Sequence, residues 1–394
     1  MMGAGLAIDS RSREFQEDPY AVYRRLREAG PVIRVAVDGE LRWVISHYAQ
    51  AIEALRDPRF GREAAPPDKA AGLVERLTYT HSMLNRDPPE QTRLRRAAGG
   101  PFRARAIATL RRDIERRTDE LLDAIEEAGE VDFVEEFAEP LTIGVLSAFV
   151  GLSERITRPA MKGRLSPRSV VNLRALLEMK FAERRKSSLE TDDFLGSLLA
   201  SREAKDFESD EEVIATYVVI LAAGQHTTAK LLSNGLNCLL ANPAQLEILR
   251  GRPELIGSAV EEMLRYESPV QATFRWTHED VTIGDRTIPR GAEALLLIGA
   301  ANRDPLQFGS PDDFDVERTN NRHLGMGAGP HLCIGAGVAR LIAETAFTRL
   351  LRRFHHHLEG TPGREPRWGR ELVFRGIEEL PVRVIPGTAG AAPG

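Results

Sequence analysis

The sequence predicts a mainly α-helical protein with minor β-sheets. Apolar residues recur with a helical period through long segments, whereas alternation between apolar and polar residues is confined to short ones. Hydrophobic residues make up 42% of the 394 residues, which is enough to bury a large core. Because no linker, repeat or low-complexity block divides the interior, we expect one domain over 1–394, with flexible tails at 1–17 and 387–394.

Local signals place the elements in order. Residues 18–30 are typical of an amphipathic helix, and the turn Asp38-Gly39 between two short apolar segments predicts a hairpin. A polar loop is expected to continue to about residue 77. Short alternating segments in 270–300 and 370–386 predict minor strands. Further helices are expected over residues 89–99, 104–128, 134–150, 169–185, 192–202, 210–241, 254–266 and 333–354.

Composition and charge exclude several classes of function. No apolar segment approaches the ~20 residues that span a bilayer, and the first residues lack the basic and apolar regions of a signal peptide. A net charge of −5 argues against general nucleic-acid binding, and two cysteines do not make a disulfide framework. We therefore expect a soluble cytoplasmic protein in which Cys333 stays available as a ligand.

Residues 323–340 carry the strongest functional signal. Cys333 lies in a glycine-rich loop and is followed by an apolar, helix-forming segment. Glycines before the cysteine allow positive φ and close approach to a flat ligand, and those after it leave room on the other side. A thiol at the start of a helix is favoured as the thiolate, which suits iron. The glycines are Gly325, Gly327, Gly329, Gly335 and Gly337.

The longest apolar segment, 210–241, contains a second unusual feature. A helix that is apolar around most of its surface lies inside the protein. Gly224 weakens a helix by about 1 kcal/mol, and the Thr227 hydroxyl can bond back to a carbonyl of the preceding turn. We expect a locally widened turn here, and a packing glycine beside ordinary threonines is the alternative.

The cysteine loop resembles the haem-binding loop of the cytochrome P-450 family, which is usually Phe-Gly-x-Gly-x-His-x-Cys-x-Gly. Met326 replaces the usual Phe. The resemblance implies that Cys333 is the axial ligand of the iron of haem b. The matching positions are Gly327, Gly329, His331, Cys333 and Gly335.

Three further motifs of this chain are similar to motifs of the same family and occur in the same order. Residues 223–227 resemble Ala-Gly-x-(Asp/Glu)-Thr, with His226 in place of the acid. Residues 87–95 resemble Asp-Pro-Pro-x-His-Thr-x-x-Arg, with Gln91 in place of the histidine, which weakens one expected haem contact. Glu262 and Arg265, three residues apart on one helical face, resemble Glu-x-x-Arg.

The resemblance implies the family's triangular, mostly helical fold and a monooxygenase reaction that inserts one atom of O₂ into an organic substrate. Electrons would come from a ferredoxin and a ferredoxin reductase, and the basic segment from Arg93 to Arg112 suits an acidic ferredoxin or a carrier protein. Arginines suit the two haem propionates. The implied roles are catalytic for Gly224, His226 and Thr227, haem-binding for Arg95, Arg275, His331, Gly327 and Gly335, and structural for Glu262, Arg265 and Arg318.

His226 is the sharpest departure from the family pattern, and several roles are open to it. Histidine can relay protons near neutral pH in place of the usual acid. It can equally contact substrate, point into a polar network, or mark altered oxygen chemistry. Two rival functions follow, namely a peroxygenase that uses H₂O₂ and a haem protein that only recruits partners.

The substrate is predicted only by class. The span between Gly151 and the helix near residue 169 is short for the family, and a shorter roof over the pocket suits a natural-product intermediate. An aromatic polyketide unit on an acyl or peptidyl carrier protein is our interpretation, with a free macrolide, terpenoid or fatty acid as alternatives. The candidate pocket residues are Met83, Leu84, Ala222, Ala223, Val270, Gln271, Ala272, Thr273 and Ile377.

Overall fold

The computed structural model describes residues 6–63, 81–155, 174–179, 182, 193–354 and 357–385. Several predictions lie outside these ranges, namely most of the loop to residue 77, most of the span between 151 and 169, most of the helix 169–185, and the tail 387–394. Helices dominate the described chain, so the mainly α prediction is confirmed. No helix within these ranges is both long and apolar enough to cross a membrane.

The helices fall close to the predicted segments in most cases. The α-helices of the described residues are α1 (Arg13–Glu17), α2 (Pro19–Ala29), α3 (Tyr48–Arg56), α4 (Glu90–Ala98), α5 (Ala104–Thr109), α6 (Arg111–Ala128), α7 (Glu139–Val150), α8 (Phe194–Glu203), α9 (Asp210–Ala241), α10 (Pro243–Gly251), α11 (Ile256–Tyr266), α12 (Ile298–Ala301) and α13 (Ala336–Phe354). Short 3₁₀ turns lie at Gly100–Phe102, Pro253–Leu255 and Gly329–His331, and a π-helical turn lies at Val134–Ala138.

The strands form one larger sheet and three small ones. They are β1 (Ala7–Ile8), β2 (Val32–Val37), β3 (Glu40–Ile45), β4 (Phe60–Gly61), β5 (Glu130–Asp132), β6 (Ala272–Thr277), β7 (Val281–Ile283), β8 (Arg286–Ile288), β9 (Glu293–Leu297), β10 (Leu358–Gly360), β11 (Arg367–Trp368), β12 (Ile377–Glu379) and β13 (Pro381–Val384). The six-stranded sheet has the order β1-β2-β3-β9-β6-β4, and the predicted hairpin is its antiparallel β2–β3 pair. The other sheets are β10-β13-β5, β11-β12 and β7-β8.

Helix α9 lies at the centre of the core, as its composition predicts. It begins after Ser209, whose hydroxyl accepts a hydrogen bond from the Glu212 N–H, and most of its residues are buried. Its second half packs with α11 and α13 around Met263 and Phe347. Its first half packs with α7 and α8 in a second apolar cluster around Phe194 and Tyr217. The helix therefore connects two parts of the core and holds residues 223–228 between them.

The structure differs from the sequence prediction in three places. The expected flexible tail at 1–17 is wrong for residues 6–17, because β1 pairs with β2 and α1 buries Phe15. The expected helix 104–128 divides at Leu110, whose N–H donates to the carbonyl of Ile107 three residues back. Helices α3 and α10 were not predicted; each is only nine residues long, which leaves a short periodic pattern.

Candidate active site

The loop that carries Cys333 is held in shape by its own backbone. The Cys333 N–H donates to the carbonyl of Met326 at 2.9 Å, and the Gly327 N–H donates to the carbonyl of Leu324 at 2.8 Å. A 3₁₀ turn at Gly329–His331 then leads to the cysteine. Helix α13 begins three residues after Cys333, so the predicted placement of the cysteine just before a helix is confirmed.

Two of the loop glycines have the conformation that the sequence predicts. Gly327 and Gly329 have φ of +75° and +67°. A Cβ at Gly329 would also lie 2.3 Å from the carbonyl oxygen of Leu55, at the end of α3. The prediction of a positive φ is wrong for Gly325, which does not have that conformation. Glycine is needed there for space instead, because a Cβ would lie 2.7 Å from the carbonyl oxygen of Leu264.

The glycines after the cysteine have separate functions. A Cβ at Gly335 would meet Cys333 Sγ at 4.0 Å, an ordinary contact, so this position leaves the sulfur unobstructed. A Cβ at Gly337 would lie 2.8 Å from Ile107 of α5. Gly337 therefore makes room for a neighbouring helix.

Burial opposes the thiolate that the sequence predicts at Cys333. Part of the side chain stays accessible, yet the surrounding residues desolvate the sulfur. This burial raises the pKa of the thiol, while the Gly335 N–H and the charges of Arg95 and Arg340 oppose the shift only in part. A metal ion that binds the sulfur would deprotonate it outright. Thiolate character at Cys333 would therefore come from an iron ligand and not from the helix alone.

Two polar contacts fix the loop to the rest of the core. The carboxylate of Glu261, on α11, accepts from Arg340 at 2.6 and 2.8 Å and lies 3.1 Å from His323 Nε2. Gln91, on α4, donates through Nε2 to the carbonyl of Pro330 at 2.6 Å. Gln91 replaces the histidine of the family motif, and here it stabilises the loop from the side of α4.

Acid sensitivity is expected from Glu261. Burial alone would raise its pKa, but hydrogen bonds from Arg340 and His323 lower it from 4.5 to about 2. The unfolded chain therefore binds more protons between these two values, and stability falls as the pH drops through that window. Urea unfolding should show that Glu261→Gln destabilises the protein at neutral pH but costs much less near ~pH 3. An exposed control, Glu279→Gln, should show no such dependence, and a constant cost for Glu261→Gln would contradict the assignment.

Helix α9 continues unbroken through the candidate oxygen-binding residues Gly224 and Thr227. The Thr227 Oγ1 donates to the carbonyl of Ala223 at 2.7 Å, as expected for a threonine within a helix. The predicted widened turn is absent from α9, which is α-helical from Asp210 to Ala241. A Cβ at Gly224 would lie 3.4 Å from both Leu146 methyl carbons, so this glycine permits close packing against α7.

His226 lies in a partly buried and charged environment. Burial lowers its pKa, the Lys230 charge lowers it further, and Glu371 opposes the shift. Burial also lowers the pKa of Lys230. The Lys230 side chain packs against Gly376, where a Cβ would lie 2.2 Å from Lys230 Cγ. A neutral imidazole at pH 7 can both accept and donate a proton.

Three arginines fit the carboxylates of a haem. In the described ranges, no carboxylate oxygen lies within the 4.0 Å ion-pair distance of Arg62, Arg95 or Arg275. Burial lowers the pKa of all three, that of Arg275 to about 9. His331 Nε2 is buried and lies 3.7 Å from Asp87 Oδ1. Desolvated cations require an anion, and haem supplies two propionates. Arg62 was missed because no motif marks it.

The predicted Glu262, Arg265 and Arg318 are brought together in the structure. Arg265 and Glu262 are fully buried and form two hydrogen bonds of 2.7 Å. Arg318 Nε lies 3.1 and 3.2 Å from the Glu262 carboxylate oxygens. Arg265 Nη1 also donates to the carbonyl of Asn302, whose side chain accepts from the Leu324 N–H of the cysteine loop. The cluster therefore supports the loop through one intermediate residue.

The predicted pocket residues divide into two groups. Leu84, Ala222 and Ala223 are exposed, and Val270 and Thr273 are half-buried, so all five have accessible surface. Phe374, which pairs with Val270 through an isolated β-bridge, is also exposed. Phe374 was not predicted from the sequence, which placed the pocket at Ile377 in this segment.

For four residues, the predicted place in the pocket is wrong. They are packed in the core, where at most 5% of the side-chain surface is accessible and none is available to a substrate. Gln271 donates to Tyr20 Oη and to the carbonyl of Ser268, which explains its burial. The four residues are Met83, Gln271, Ala272 and Ile377.

Known proteins share this sequence and fold. Residues 253–375 match the family described as Cytochrome P450. Cytochrome P450 107B1 of Saccharopolyspora erythraea is 39% identical, over 94% of this chain and 96% of its own length. The 6-deoxyerythronolide B hydroxylase of the same organism is 35% identical, over 95% of this chain and 98% of its own. The structure of P450BioI in complex with a hexadec-9Z-enoic acid ligated acyl carrier protein has a TM-score of 0.86 at 33% identity, and the match covers 94% of this chain and 100% of that one.

The chain belongs to the cytochrome P450 family. It is a monooxygenase with the fold of that family, and its cofactor is haem b. When bound, the haem supplies the O₂ chemistry of this class of enzyme.

Proposed function

We propose that this monooxygenase receives its electrons from an acidic ferredoxin, reduced by a ferredoxin reductase, that docks beside the cysteine loop. Helix α5 packs against α13 at Ile107 and Gly337, immediately after Cys333. A partner bound there would lie close to the sulfur ligand. Cys333 as the axial ligand, with Arg95, Arg275 and His331 at the propionates, is part of this proposal.

A cluster of exposed arginines supports the docking site. Among the described residues, none of them has an acidic side chain within ion-pair distance, so their charge is available to a partner. Arg93 of the same basic segment is not available, because it pairs with Glu212 at 2.6 Å. The members of the cluster are Arg96, Arg103, Arg105, Arg111 and Arg112, and the exposed Arg116 of α6 is excluded because it pairs with Asp113 and Glu120.

Charge reversal tests the docking site and the two rival functions together. Product formation with ferredoxin, ferredoxin reductase and NAD(P)H should fall about tenfold or more in the double variant Arg111→Glu/Arg112→Glu. The difference from the wild type should be smaller at high salt, because salt screens the charges. Arg290→Glu, an exposed change on another loop, is the control. Turnover with H₂O₂ alone, at a rate that exceeds the ferredoxin-driven rate, would indicate a peroxygenase. No product by either route from any substrate that shifts the haem spectrum would favour a partner-recruiting role.

His226 is proposed to supply protons beside the Thr227 hydroxyl in place of the usual acid. His226→Ala should lower the fraction of consumed NAD(P)H that appears as product, because the imidazole that would supply the proton is lost. His226→Asp restores the family's residue type and should recover much of that coupling. Coupling measured in both variants decides the role, and an unchanged value in His226→Ala would assign the histidine to packing.

The substrate is proposed to be an apolar biosynthetic intermediate, namely an aromatic polyketide unit carried on an acyl or peptidyl carrier protein. The accessible side chains of Leu84, Ala222, Ala223 and Phe374 are apolar, which suits a substrate that is poor in charge. The relative in complex with a ligated acyl carrier protein supports a tethered substrate. The 6-deoxyerythronolide B hydroxylase supports a free macrolide as the second candidate.

Spectral titration distinguishes tethered from free substrates. A carrier-bound aromatic polyketide unit should displace the water ligand of the haem and shift the Soret band at lower concentration than the same unit as a free thioester. A free macrolide that binds more tightly than both would support the second candidate. Leu84→Ala and Phe374→Ala should each weaken the titration, whereas Leu306→Ala, an exposed leucine in another loop, should not.

A further inference from the structure

We propose that Arg62 forms, together with Arg275, the binding site for one haem propionate. The inference rests on haem binding, which family membership establishes, and assigns a role to a residue outside the family motifs. Arg62 follows β4 and is half-buried, and Arg275 lies in β6 with 3% of its surface accessible. The strand that Arg62 follows, β4, pairs with β6 in an antiparallel arrangement at the edge of the six-stranded sheet.

The two guanidinium groups lie side by side. Arg62 Nη1 donates to Thr273 Oγ1 at 3.2 Å and to the carbonyl of Phe274 at 3.1 Å. Arg275 Nη1 donates to the same two oxygens, at 3.2 and 2.8 Å. Because these acceptors are neutral, neither charge is compensated by them. Two like charges in such proximity repel each other unless an anion lies between them.

The nearest acid does not fill this role. Asp87 accepts from the backbone N–H groups of Arg62 and Glu63 at 2.8 and 3.0 Å and from His278 Nε2 at 3.1 Å. Asp87 Oδ1 also lies 3.7 Å from His331 Nε2, so two backbone N–H groups and two histidines already surround the carboxylate. Among the described ion pairs, Asp87 lies outside ion-pair distance of both guanidinium groups. One negative charge also leaves the pair of arginines with a net positive charge. A carboxylate from outside the described chain is needed.

The replacement at position 91 explains why a further arginine is needed. The family motif has a histidine there that contacts haem, whereas Gln91 donates to the carbonyl of Pro330 and carries no charge. Arg62 would supply a cationic donor for the haem from the segment that follows β4. A planar guanidinium with several donors holds a carboxylate better than an imidazole does.

Haem release and midpoint potential test the proposal without any turnover. In the purified holoprotein, Arg62→Gln should transfer haem to apomyoglobin about tenfold faster or more, as expected for loss of a charge-assisted hydrogen bond. Its substrate-free midpoint potential should become more negative, because removal of a nearby positive charge favours the ferric state. Arg59→Gln, three residues away and paired with Asp57, is the matched control and should behave as the wild type.

A conservative variant keeps the test valid if Arg62→Gln does not fold. Arg62→Lys retains the charge, so its potential should stay near that of the wild type, while haem release should still be faster because an ammonium cannot bind a carboxylate in a bidentate way. Haem release and potential equal to the wild type in these variants would overturn the proposal. Weaker binding of an anionic substrate, with haem release and potential unchanged, would also overturn it and assign Arg62 to the substrate.

Discussion

Cys333→Ala is expected to abolish the band near ~450 nm in the reduced, CO-bound difference spectrum, because this band reports a haem iron with a thiolate ligand. The variant should either bind haem with a band near ~420 nm or lose haem altogether. The loop itself should persist, since its shape depends on backbone hydrogen bonds such as Cys333 N–H to Met326 and not on the sulfur. Circular dichroism of the variant should therefore match that of the wild type.

The chain provides a matched control for this experiment. Cys238 is the other cysteine of the two in the sequence. It is buried within α9 with 4% of its surface accessible, and burial raises the pKa of its thiol well above the ordinary value. Cys238→Ala should keep the ~450 nm band at full intensity per haem. A ~450 nm band that survives in Cys333→Ala and disappears in Cys238→Ala would refute the ligand assignment.

The elements that could be predicted from the sequence are those with a long periodic pattern. Helix α9 was expected over 210–241 and spans those residues, because its Ser209 cap and its nearly continuous apolar surface are local signals. Helix α3 gave no such signal, since it is short and its position depends on packing beneath the sheet. The strand β1 has two residues and depends on long-range contacts, namely its pairing with β2, about 30 residues further along the chain, and the burial of Ile8.

The site divides in the same way. The glycine positions at 327 and 329 follow from local backbone geometry, and the structure has positive φ at both. Arg62 could not be predicted, because its importance arises from Arg275, more than 200 residues away in sequence, and from two acceptors that both side chains share. The prediction that Gln271 and Ile377 line the pocket is wrong, because sequence spacing alone does not show which side of an extended segment is covered.

Loss of the Glu262 carboxylate is expected to be more destabilising than loss of any exposed ion-pair partner in the described core. Both side chains are fully buried, and Arg265 depends on this carboxylate for charge compensation. Glu262→Gln keeps the shape of the side chain but leaves Arg265 and Arg318 without their counter-charge. Loss of one member of a buried ion pair costs about 3–5 kcal/mol, because the remaining charge stays in a poorly solvated site.

Urea unfolding of the holoprotein should show this loss, and the ~450 nm CO band should decline with it. The decline is expected because Arg265 holds the carbonyl of Asn302, whose side chain binds the Leu324 N–H of the cysteine loop. Glu254→Gln removes an exposed partner of Arg252 and should cost no more than about 1 kcal/mol. A Glu262→Gln variant that is as stable as Glu254→Gln and keeps the full CO band would contradict this prediction. The cysteine loop would then be supported by its own backbone and by Glu261, and Glu262, Arg265 and Arg318 would serve only in packing.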